Sequence, residues 1–108
     1  MKGTIVSIHA EGMIERLDID GPPELPALKV AIGGGYIEVV PGFERITLDD
    51  GEHACVAFCD EDGKRKQLPV NRIATAAWWK QLAVNPGGDV LVGDVAVVFG
   101  DAEFMEQL

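Results

Sequence analysis

His53, Cys55 and Cys59 form the densest set of soft ligands and nucleophiles in the chain. Odd-numbered side chains of one strand share a face, so an extended run from His53 to Cys59 would project an imidazole and two thiols together, with Ala57 between the cysteines. Such a set suits a soft metal. Distance argues against it. At roughly 3.3 Å per residue, Cys55 and Cys59 stand about 13 Å apart, too far for one zinc or for a disulfide. A fourth ligand is also missing, and free cysteine is among the most buried residue types, so both thiols are expected in the core. A nucleophilic cysteine would need a base such as His9 or His53 beside it, which sequence alone does not place. No metal, no cofactor and no catalytic residue is assigned.

Two further stretches resemble ligand loops and fail on context. Gly33-Gly34-Gly35 follows a helical pattern and precedes a strand pattern, the reverse of a dinucleotide fingerprint, and no Walker lysine follows. It is expected to stop a helix. Asp60-Glu61-Asp62-Gly63 has its glycine in the wrong place for an EF-hand, and Asn71 stands where the bidentate glutamate belongs, so it reads as an acidic turn. Hydrolase-elbow, zincin and kinase signatures are absent. Trp78-Trp79 is the remaining candidate. Neighbouring helix positions point about 100° apart, so one indole is expected in the core and the other at an edge, where tryptophan often anchors a partner.

The elements that must position these residues follow from periodicity. Thr4 to Ile19 alternates as a hairpin around Ala10-Glu11-Gly12, where glycine suits a positive φ. Leu25, Leu28 and Ile32 share a helical face over Glu24 to Ile32, with Pro23 and Pro26 tolerated in the first turn. Strands are expected at Tyr36 to Val40, Arg45 to Leu48 and His53 to Cys59, with Lys66 to Val70 returning beside the last as a hairpin partner. Asn71 is a natural N-cap for a helix from Arg72 to Leu82, on which Trp78, Trp79, Leu82 and Ala83 share a side opposite Gln81. Asn85-Pro86-Gly87-Gly88 closes that helix. Val90 to Phe99 gives two β runs around Gly93-Asp94 or one bulged strand, and Asp101 to Leu108 a terminal helical turn. The expected fold is α+β: one domain over residues 1–108, with an antiparallel or mixed sheet of about 5–7 strands and two helices packed on it.

Charge bounds the partners. Eighteen acids against nine bases leave a net charge of −9, and the one basic run, Lys64-Arg65-Lys66, is cancelled by the acids just before it. Direct nucleic-acid binding needs clustered cations, so it is not expected, nor is attraction to an anionic membrane. No apolar run reaches the roughly 20 residues of a membrane helix, and no secretory pattern opens the chain. A cytoplasmic location with reduced thiols is the expectation.

Gly34-Gly35-Tyr36-Ile37-Glu38, Asp60 to Asn71 with Leu68-Pro69-Val70-Asn71-Arg72, and Val92-Gly93-Asp94 together resemble a domain-of-unknown-function family of small proteins from phages, plasmids and other mobile elements. The likeness covers roughly residues 27 to 105 and implies no catalytic residues. If the strands carrying these stretches are neighbours, Glu38 and Arg72 could pair with Asn71 nearby, as a structural cluster or a small pocket. The candidate binding residues are therefore Tyr36, Glu38, Asn71, Arg72, Trp78 and Trp79. The leading function is an acidic accessory protein acting through contacts with another protein in a phage or mobile-element setting. Alternatives are a DNA mimic that inhibits a host nuclease, a small enzyme with a cleft near Glu38, Asn71 and Arg72, and a homodimer pairing through an exposed edge at Val95 to Phe99.

Overall fold

The computed structural model describes residues 1–82 and 88–108. Its frame is a five-stranded antiparallel sheet in the order β2-β1-β7-β6-β3, from β1 (Lys2–Ile8), β2 (Ile14–Asp20), β3 (Ile37–Val39), β6 (Val56–Asp60) and β7 (Val95–Gly100). A separate hairpin pairs β4 (Arg45–Leu48) with β5 (Gly51–Ala54). Helices α1 (Leu25–Ala31), α2 (Arg72–Trp79) and the single turn α3 (Ala102–Met105) complete the α+β fold.

Alternation divides the core in two. Val6, Ile8, Val95, Val97 and Phe99 turn to the face covered by α2 and the β4–β5 hairpin, where Ala74, Trp78 and Ile46 meet them. Ile5, Ala96, Val98 and Phe58 turn to the opposite face, covered by Leu28 and Ala31 of α1, its C-cap Ile32 and Phe104 of α3. Phe104 is fully buried because Gly3 and Gly100, on adjacent strands, have no side chains to obstruct its ring.

Several expectations change. Val95 to Phe99 is the central, buried strand rather than an exposed edge, so pairing of two copies through it is ruled out. A strand apolar at every position is one buried on both faces. The run from His53 to Cys59 is broken at Cys55, where the chain leaves the β4–β5 hairpin for the main sheet and the Cys55 N–H donates to the Glu44 carbonyl at 2.9 Å. Lys66 to Val70 does not return as a strand. Consecutive turns occupy 61–67, and only Val70 bridges to Val92. Helix α2 ends at Trp79, so Gln81 folds under its C-terminus, accepting from the Glu44 and Arg45 N–H groups at 2.7 and 2.8 Å. Ala83 and most of the expected closing turn, Asn85 to Gly87, lie outside the described residues.

Candidate functional site

The stretches Gly34 to Glu38 and Asp60 to Lys64 meet at one end of the sheet. Antiparallel pairing sets Ile37 opposite Asp60 and Glu38 opposite Cys59, and the Glu61 N–H donates to the Tyr36 carbonyl at 2.9 Å. Gly35 passes so close to Asp60 that an added Cβ would stand 2.6 Å from Oδ2. The Asp60 carboxylate is buried and accepts from Lys66 Nζ at 2.7 Å and the Asp62 N–H at 2.9 Å. Burial pushes its pKa up, but the Lys66 ammonium and the Asp62 N–H outweigh this and hold it below the usual value.

The second pair of stretches meets on the α2 side. Val70 bridges Val92, the Gly93 N–H donates to the Pro69 carbonyl at 2.7 Å, and the Asn71 N–H donates to the Leu91 carbonyl at 2.8 Å. Asn71 is completely buried. Its Oδ1 caps α2 at the Ala74 N–H (3.1 Å), and its amide donates to the carbonyls of Ile8 and Gly93.

Between these knots lies a cleft of about 250 Å³. Val40, Cys59, Trp78 and Leu91 form its apolar floor; Glu38, Glu61, Lys64 and Asp89 line its rim. Trp78 is fixed by its Nε1–H, which donates to the Pro41 carbonyl at 2.8 Å. Lys64 is ion-paired with Asp89, leaving Glu38 and Glu61 to give the rim its negative balance. Burial, then the negative charges of Glu38 and Asp60, push the Cys59 thiol up to about 11, and burial pushes Cys55 to about 12. Burial and the neighbouring carboxylates favour the protonated thiol, the form that packs rather than attacks.

Of the six candidates, Glu38 and Trp78 line this cleft together. Trp79 stands beside it, half-exposed, its Nε1–H donating to the Asp89 carbonyl at 2.8 Å. Tyr36 is an exposed ring with the Lys29 ammonium 5.5 Å from its centroid. Asn71 lies inside the fold, and Arg72, exposed on the first turn of α2, makes no ion pair with Glu38. The two do not form the expected cluster because β3 pairs with β6, not with the 66–70 segment. The rim residues Lys64 and Asp89 were not marked by their types, since neither belongs to a recognisable chemical pattern.

The histidines are committed elsewhere. His9 Nδ1 lies 2.9 Å from Asp94 Oδ2 and Nε2 lies 3.1 Å from Glu15 Oε1, which ties the β1–β2 turn to the loop before β7. The Asp94 hydrogen bond raises the pKa of His9 above its ordinary 6.5, against a smaller opposing effect of burial. His53 stacks on Phe99 at 4.0 Å and donates to Asp50 at 2.8 Å. Among the described residues, no three His, Cys, Asp or Glu side chains are grouped to hold a metal, and no helix is long and apolar enough to cross a membrane.

No curated protein and no solved structure matches the chain. A family match covers residues 1–107, and so takes in the N-terminal hairpin as well as the stretches that carried the resemblance. The chain belongs to the family described as Domain of unknown function (DUF3846).

Proposed function

We propose that this protein is a non-enzymatic accessory module that acts by binding another protein, and that the cleft beside β3 receives a basic side chain of that partner. The observation that carries this reading is the composition of the cleft, with an apolar floor built on Trp78 and Leu91 beneath a rim holding Glu38 and Glu61. Arginine and lysine have this dual character, an apolar stem and a charged head. At about 250 Å³ the cleft is smaller than the roughly 300–1,000 Å³ of sites for drug-sized ligands, and it suits one long side chain. The net charge of −9 attracts a basic partner over the last several ångströms.

The enzyme alternative has less support, because the thiol in the cleft is held protonated and Asn71 spends its amide on the fold. A DNA mimic needs carboxylates arrayed along one face. Here acids on several elements are paired with Arg16, Arg45, Lys66, Arg65 and Lys64. The phage or mobile-element setting is supported by the resemblance alone.

The test is amide-proton NMR during titration with acetyl-arginine amide. Shifts are expected to concentrate at Glu38, Cys59, Trp78 and Leu91. Shifts spread over all acidic segments, or absent from these four, would overturn the proposal.

A further inference from the structure

The sheet has two edges of unequal kind. The β3 edge is three residues long and runs into Pro41, so it offers little to a new strand. The β2 edge is seven residues of unbroken register with β1, without proline, glycine, lysine or bulge, and six of the seven residues are exposed. This is an open template for a sixth strand of the sheet.

Backbone phase shows which groups it offers. The His9 N–H donates to the Met13 carbonyl, and the Gly21 N–H to the Met1 carbonyl, so the odd positions of β2 spend their hydrogen bonds on β1. The N–H and C=O groups of Ile14, Arg16, Asp18 and Asp20 therefore point outward, away from the sheet. A second copy that pairs antiparallel about a two-fold axis must set outward positions opposite outward positions, which restricts the axis to a residue rather than a point between residues.

Charge then selects the residue. With the axis at Glu15, Arg16 or Asp18, two identical charges stand face to face, and at Ile19 Asp18 opposes Asp20. With the axis at Leu17, Arg16, which within its own chain also lies 3.4 Å from Asp18 and 3.2 Å from Asp50, faces Asp18 of the second copy twice over, Leu17 packs on Leu17, Glu15 faces Ile19 and Ile14 faces Asp20. Leu17 is also the midpoint of β2, so all seven residues pair. From this coincidence of charge, phase and length we infer that the protein forms a two-fold dimer through β2, centred on Leu17, fusing the two five-stranded sheets into one. About eight main-chain hydrogen bonds join the copies, two for each outward-facing pair. The surface is separate from the cleft, which lies at the other end of the sheet, so dimerisation stands or falls without the arginine reading.

Sedimentation of the full chain at high protein concentration tests this. The expected species has twice the 11.6 kDa chain mass and gains population with protein concentration. Arg16→Asp and Asp18→Arg each place like charges opposite one another and are expected to weaken the dimer at least tenfold, while the double exchange restores it. Circular dichroism verifies that each variant is folded. In addition, Leu17→Cys is expected to cross-link spontaneously across the axis, because directly opposed residues of a non-hydrogen-bonded pair stand about 4.5 Å apart at Cα, within disulfide reach. A monomer at all concentrations, a dimer indifferent to the reversals, or a double exchange no better than the single variants would overturn the inference.

Discussion

Asn71 donates its side-chain amide to the main-chain carbonyl of Ile8 at 2.8 Å, across sixty-three positions of sequence. The same amide reaches the Gly93 carbonyl, and the side-chain Oδ1 caps α2, so one side chain joins β1, the loop before β7 and the helix that carries both tryptophans. Removing it takes a partner from three buried backbone groups. Asn71→Ala is expected to cost about 3 kcal/mol of unfolding free energy, combining a lost cap with unsatisfied carbonyls. Asn71→Asp keeps the cap but cannot donate, and is expected to lose a comparable amount at neutral pH. Urea denaturation measures both; a loss below about 1 kcal/mol for either would show that water replaces the amide.

Gly35 and Gly34 offer a matched pair. Both have positive φ, 87° and 96°, but only at Gly35 does an added methyl collide, and the collision is with the Asp60 carboxylate. Gly34→Ala is expected to cost the backbone strain alone, about 1–2 kcal/mol, and Gly35→Ala clearly more. Equal melting temperatures for the two variants would contradict the close approach.

His9 gives the fold a pH dependence of defined sign. Its pKa in the folded protein is raised above 6.5, chiefly by the Asp94 hydrogen bond, so the protonated ring stabilises the folded state. That contribution is complete below about pH 6.5 and disappears as pH rises through the raised value. Stability measured from pH 5.5 to 8.5 is expected to fall across this window in the natural sequence and to be flatter in His9→Gln. Parallel curves would remove His9 as the cause.

Both thiols are held protonated, Cys59 to about 11 and Cys55 to about 12. Iodoacetamide at pH 8 is therefore expected to leave the native protein unmodified over hours and to alkylate both cysteines after unfolding. Rapid reaction of Cys59 in the native state, read by mass spectrometry, would return it to consideration as a nucleophile.

Much of this architecture was legible from local pattern. The β1–β2 hairpin, α1, the Asn71 cap and the terminal turn are governed by alternation, capping and glycine, all of which act over a few residues. What stayed hidden depends on long-range placement. No residue type in His53 to Cys59 announces that the chain changes sheets at Cys55, because both halves are good strand formers. The apolar run Val95 to Phe99 pointed to a strand but not to its place at the centre of the sheet, which is decided by β1 and β6 lying on either side. The cleft combined two foreseen residues, Glu38 and Trp78, with Lys64 and Asp89, whose ion pair closes a gap of twenty-five positions. Arg72 stayed apart from Glu38 because the chain turns back on itself over 61–67, with Lys66 reaching Asp60 instead of opening a strand.

The claim that matters most is that the cleft, and not the overall negative charge, selects a basic side chain. Calorimetric titration of a Gly-Arg-Gly peptide into three proteins isolates it: the natural chain, the cleft variant Glu38→Lys/Glu61→Lys, and the remote variant Glu24→Lys/Glu106→Lys, which carries the same change in charge. Binding is expected to weaken at least tenfold in the cleft variant and to stay within twofold in the remote one. Equal weakening in both variants would contradict the account.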